Sequence, residues 1–213
     1  MRINLLIIWF AFVVSSCTET NELHLPYFGE GGLTDETGRY TVPKFAFINQ
    51  DSVETSHLNY QGHIYVTDFF FTKCPSICPI MTSQMSRLQD MMKKEDIYGE
   101  VKILSHSIDT ENDRPSVLKE YADRIGADLD HWNFVTGNKI DIYDQAKYGY
   151  FLTALESDTA VGGFFHSDNF VLIDRDMHIR GYYDGTSTSS VDELFQDIKK
   201  LRNSYQKWKT EYN

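Results

Sequence analysis

The stretch Phe69-Phe70-Phe71-Thr72-Lys73-Cys74-Pro75-Ser76-Ile77-Cys78-Pro79 constrains this chain more than any other. The apolar and aromatic run from Ile64 to Phe71 reads as a buried strand. It stops at two cysteines, each followed by proline, and a helical pattern begins. Pro79 suits a first helical position, which needs no backbone donor. From about Pro79 to Lys94, Ile80, Met81, Gln84, Met85, Leu88 and Met92 recur at helical spacing. Cys78 is expected at the helix N-terminus, where exposed N–H groups favour a thiolate. Residues four apart in a regular helix hold their Cβ atoms ~5–6 Å apart, wider than the ~3.5–4.5 Å of a relaxed disulfide. A looped Cys74 closes that gap, so the pair can form a disulfide or hold one soft metal ion.

The rest of the chain has to bury that strand. With 213 residues, 41% of them hydrophobic, it can build one α/β domain with appendages, without relying on disulfide bridges. Three cysteines are too few for a bridged scaffold. A net charge of −11 argues against binding nucleic acid or anionic lipid through a basic patch.

The N-terminus reads as a targeting segment. Arg2 precedes an apolar run from Ile3 to Val14, too short to span a bilayer but suited to a signal-peptide core. Small residues then lead directly to Cys17, as in a bacterial lipoprotein cleavage box. The expected organisation is a lipoprotein signal peptide over 1–16, a lipid-anchored flexible tether over 17–42 beginning at Cys17, and a domain over 43–213. This would place the domain outside the cytoplasm, on the periplasmic side of a membrane or at the cell surface.

Beyond the tether, strands and helices alternate. Strands are expected at 43–49, 64–71, 101–108, 132–135, 170–174 and 179–183, and helices at 79–94, 115–125, 140–151 and from about Val191 to Leu201. The implied fold class is α/β: a thioredoxin-like fold with a central mixed sheet flanked by helices and an added N-terminal β-hairpin.

The motifs also resemble a known family. The run Phe71 to Pro79 is similar to the F-T-x-C-P-x-x-C-P signature of the Sco/SenC family. Ser107-Ile108-Asp109-Thr110-Glu111-Asn112-Asp113-Arg114-Pro115 is similar to its S-V-D-P-x-x-D-x-P stretch, and Phe165-His166-Ser167-Asp168 to its histidine loop. The resemblance covers roughly 43–205. It implies a thioredoxin-like domain binding copper, as Cu(I) or Cu(II), through Cys74, Cys78 and His166; nothing in the sequence points to an obligate oligomer, and a monomer is expected. It also implies service to the assembly of the dinuclear copper centre of cytochrome c oxidase, by delivering copper or by reducing cysteines there. The chain departs from the pattern at Ser76, where an aspartate is common, and at Thr110, where a proline is.

The residues alone give each candidate a plainer alternative. Two thiolates and an imidazole suit copper and tolerate zinc, but a structural zinc site wants a fourth ligand. Of the other histidines, His24 and His178 read as solvated, His57, His63 and His131 as surface groups, and His106 as a satisfied buried residue. Met81, Met85, Met91 and Met92 read as core rather than thioether ligands. Asp109 is a candidate acceptor that would orient a ligand or dock a partner, Asp113 is expected to cap the helix at Pro115, and Asp68 is anomalous in a buried strand. Two functions remain open: a metallochaperone, and a thiol–disulfide oxidoreductase in which Cys74 and Cys78 are the redox pair. No motif marks the arginine a peroxidase would need.

Overall fold

The computed structural model describes residues 25–29, 34–157 and 162–211. Cys17, His24 and the proposed signal peptide lie outside them.

The strand before the cysteines is β3 (Ile64–Phe70), buried along its whole length. It pairs in parallel with β4 (Val101–Ser107), which pairs in parallel with β5 (Trp132–Thr136). The connections are α1 (Ile77–Lys94) and α2 (Pro115–Ile125). Both crossovers step the same way across the sheet, so the right-handed rule puts both helices on one face. Alternation along β3 then divides the core. Phe70 meets Tyr121 of α2 at 5.2 Å between ring centroids, whereas Phe69 stacks on His106 at 4.6 Å on the other face. Tyr150 covers that second face, following α3 (Lys139–Asp144) and the π-helical turn Gln145–Gly149.

The sheet is completed by antiparallel strands on both sides. β1 (Ala46–Asn49) and β2 (Glu54–Ser56) form the expected N-terminal hairpin, with β1 against β5. On the far side, β8 (Asn169–Ile173) pairs with β3 and with β9 (Ile179–Asp184). The order is β2-β1-β5-β4-β3-β8-β9, a mixed seven-stranded sheet. A separate ribbon of β6 (Ala154–Glu156) and β7 (Phe164–His166) stands apart from it. The last helix, α4 (Thr188–Glu211), packs on α1 and β9.

Several expectations need correction. Helix α1 starts at Ile77, two residues before Pro79, because Ser76 is its N-cap; Pro79 still falls in the first turn, where its missing N–H costs nothing. The expected helix over 140–151 is instead a short α-helix that widens into a π turn. The described part of the expected flexible tether is docked on the domain. Phe28 donates its N–H to the Ile179 carbonyl at 3.0 Å, covering the outer edge of β9. Arg180 holds the carbonyls of Leu25 and Pro26 at 2.6 and 3.0 Å. Tyr27 is sandwiched between the guanidinium groups of Arg39 and Arg180, 4.1 and 3.9 Å from its ring centre. Among the described residues, no helix is long and apolar enough to cross a membrane.

Candidate metal centre

Three elements converge on the cysteine turn. β3 ends at Phe70, and the next residues turn sharply, with the Cys74 N–H donated to the Phe71 carbonyl at 3.2 Å. Buried Asp113 holds this turn. It accepts the Thr72 N–H at 2.9 Å, the Thr72 hydroxyl at 2.5 Å and the Ser107 hydroxyl at 2.6 Å. The cap of α2 is Arg114, without a side-chain bond, so Asp113 fastens the cysteine turn rather than capping that helix.

The turn brings Cys74 Sγ back over the start of α1, where it accepts the Cys78 N–H at 3.4 Å. Helix-end electrostatics therefore act on Cys74, not on Cys78 as the sequence suggested. Burial alone would raise the Cys74 thiol. Hydrogen bonds from the Cys78 thiol and from the Ser76 and Cys78 N–H groups outweigh it and leave Cys74 below the ordinary thiol range. Cys78, 1% exposed against 9% for Cys74, is pushed well above that range by burial and by the neighbouring Cys74. The pair is asymmetric: one outer, acidified sulfur and one inner, protonated sulfur.

The third donor arrives on the β6–β7 ribbon. His166 Nδ1 donates to the Ser167 carbonyl at 2.9 Å, which leaves the lone pair on Nε2, 3.1 Å from Cys78 Sγ. Burial holds the His166 imidazole below its usual range, in the neutral form a metal ligand needs. Its ring stands edge-on to Phe71, with centroids 6.0 Å apart. The ribbon reaches this close because of Gly162. At φ +87°, its Cβ would lie 2.9 Å from the Phe71 ring and 3.3 Å from Pro75.

The structure thus brings Cys74, Cys78 and His166 together, with one donor atom from each within 4.8 Å of the others. Two sulfurs and one imidazole nitrogen fit a soft-to-borderline ion in a three-coordinate or open site. The other candidates lie elsewhere. Asp109 is engaged with the Asn112 amide at 2.9 and 3.0 Å and shares no hydrogen bond with the three donors. Met81, Met85 and Met92 are buried in the core, and Met91 Sδ accepts from Arg87 at 3.1 Å. His106 is buried as expected, but only Nδ1 has partners, Thr67 and the Asp68 carbonyl; Nε2 has none. Asp68 accepts from Ser105 at 2.6 Å, and burial raises its carboxyl to about 7. His57, His63 and His131 are half-buried. His178, expected in solvent, is 4% exposed and faces Asp35 and Asp174. The Asp-x-Asp-x-His spacing over 174–178 was the available signal for it.

A sequence model of the SCO1/SenC family matches residues 34–203. The chain belongs to the SCO1/SenC family. Among solved members, a SCO1/SenC family lipoprotein from Bacillus anthracis is 30% identical, with a TM-score of 0.71 over 76% of this chain and 95% of that one. BsSco, described as a Sco-family cytochrome c oxidase assembly protein with a disulfide switch, is 32% identical, with a TM-score of 0.68 over 76% and 93%. ScoI from Bradyrhizobium japonicum, solved with copper bound, shares the fold at 22% identity, with a TM-score of 0.63 over 76% and 99%.

Proposed function

We propose that this protein is a copper metallochaperone that binds one copper ion through Cys74 Sγ, Cys78 Sγ and His166 Nε2. Its client would be the copper-bearing subunit of a cytochrome c oxidase, whose dinuclear centre it helps to assemble. The observation that carries this reading is the convergence of two thiol sulfurs and a neutral imidazole nitrogen from separate elements. Copper is the cargo, so its site has to load and release. Both thiols lose their protons on loading, and oxidation of the pair to a disulfide removes the sulfur donors. Cys74 and Cys78 also line a groove of about 400 Å³ between α1 and α2, a route for a client to reach them. The lipoprotein description of the Bacillus anthracis relative supports an extracytoplasmic place for this chain, anchored at Cys17.

A second reading rests on the asymmetry of the cysteines. An acidified outer Cys74 and a protonated inner Cys78 suit the attacking and resolving thiols of a thiol–disulfide oxidoreductase. Such a protein would reduce the client's copper-site cysteines before or instead of loading them.

Anaerobic copper titration of the reduced full chain separates the two, run beside Cys74→Ser, Cys78→Ser and His166→Ala. One copper per chain is expected, with a thiolate-to-copper absorption band that all three variants lose. If copper bound the parent no better than the variants, while the dithiol reduced test disulfides even in His166→Ala, the oxidoreductase reading would replace the first.

A further inference from the structure

The groove between α1 and α2 that ends at the cysteines differs in charge from the rest of the chain. Its lining holds one charged side chain, Arg124, and no carboxylate. The whole chain has 31 acidic residues against 20 lysines and arginines, a net charge of −11.

Arg124 is exposed, and its guanidinium lies 5.0 Å from the centre of the Tyr121 ring. That ring is fixed in turn, because the Tyr121 hydroxyl meets the Thr82 hydroxyl of α1 at 2.6 Å across the groove. A guanidinium stacked on a fixed ring keeps its planar fork of N–H donors available for a carboxylate. Among the described residues, Arg87, Arg175, Arg180 and Arg202 each pair with a carboxylate, whereas Arg124 pairs with none. The acids near the cysteine turn are committed elsewhere: Asp113 to Thr72 and Ser107, and Asp109 to Asn112. The segment from Cys74 to Cys78 contains no acid at all.

The shape also restricts the occupant. A cleft of about 400 Å³ between two helices admits an extended peptide segment, not the face of a bilayer, and the net charge repels anionic lipid. Ser83 and Ser86 offer hydroxyls along its α1 wall, and Pro79 and Ile125 offer apolar surface.

We propose that this groove docks an acidic segment of the client, whose carboxylate pairs with Arg124 while its cysteines meet Cys74. This rests on a client approaching Cys74, as in both readings above. It adds the chemistry by which that client is recognised.

The test follows Cys74 reactivity on the reduced, copper-free full chain. Three peptides of equal length each hold one cysteine as its disulfide with thionitrobenzoate, flanked by glutamates, glutamines or lysines. The Cys74 thiolate attacks the peptide sulfur, and thionitrobenzoate, the more acidic thiol, leaves as a coloured thiolate. Cys78 then gives up its proton and attacks the Cys74 sulfur, releasing the peptide thiol, so the dithiol is oxidised and the peptide disulfide reduced. At low ionic strength the glutamate peptide should react about two- to fivefold faster than the glutamine peptide, and the lysine peptide slowest. High salt should erase the difference. Arg124→Gln should bring the glutamate-to-glutamine ratio to about one, and Arg124→Glu should invert it; Arg124 is exposed, so neither change disturbs the core. A lysine peptide that reacts fastest, as net charge alone dictates, or a glutamate preference that survives Arg124→Gln, would overturn the proposal. Suppression of the glutamate rate by phosphatidylglycerol vesicles, or by a raised concentration of the chain itself, would overturn it too, giving the groove to a membrane or a second copy. Glutamate preference without copper binding in the titration above would remove the copper reading alone. Copper binding without the preference would remove the groove alone.

Discussion

Asp113 shows how much of the metal centre depends on a residue that never touches it. Its carboxylate receives three hydrogen bonds, two of them from Thr72, at the point where the chain turns toward Cys74. Asp113→Ala leaves the Thr72 N–H and the buried Ser107 hydroxyl without that acceptor, at a cost of about 1–3 kcal/mol for a buried unsatisfied group. Urea unfolding should show the loss, and copper titration should show weakened binding with one ion still bound per chain. Unchanged affinity would mean the turn holds its shape unaided. Asp68 gives a pH signature. Burial raises its folded value to about 7, from about 4 in the unfolded chain. The folded state therefore holds the extra proton between those values, and the stability Asp68 contributes is lost as pH rises through that window. Asp68→Asn should gain in thermal midpoint over the parent from pH 4 to pH 8, levelling off above that. A constant difference across the range would show that Asp68 does not titrate there. His106, held near 3 by burial, acts in the opposite sense and destabilises as pH falls below about 6.5.

At the scale of elements, the ribbon β6–β7 has one task visible in its geometry: carrying His166 to the cysteines. Gly162→Ala would force a left-handed backbone on alanine and press its methyl against Phe71. His166 should move off Cys78, so copper affinity should fall tenfold or more while Cys74 alkylates at its normal rate. Equal copper affinity would show that the ribbon tolerates the shift. Helix α1 serves the core instead. Met85 is fully buried, and Met85→Ala should cost about 2–5 kcal/mol in urea unfolding. Copper stoichiometry should stay the same, as expected of a packing residue rather than a thioether ligand.

Over the whole molecule, the N-terminal segment is a structural part of the domain as far as Leu25. Arg180 ties it down through two carbonyls and the Tyr27 ring while pairing with Asp174. Arg180→Lys cannot reproduce the planar fork. Faster hydrogen exchange over residues 25–28 is expected, with copper binding unchanged; unaltered exchange would show that the edge pairing of Phe28 suffices. By itself, the sequence determined the strand–dithiol–helix unit and the order of the main elements, and the resemblance of its motif singled out His166 among seven histidines. Each rests on local pattern: period-two and helical spacing, proline at a helix start, and ligand residue types in motifs. Only the tertiary structure decided the rest. Which sulfur is acidified depended on where the Cys74 turn folded back, not on which cysteine begins the helix. Asp113 was drawn to Thr72 because long-range packing set β3 beside the end of β4. The N-terminal segment read as a tether because its composition lacks a periodic apolar face, yet one arginine and one free sheet edge on distant parts of the chain hold it. Such contacts join residues about 150 positions apart, and no local pattern in either segment encodes them.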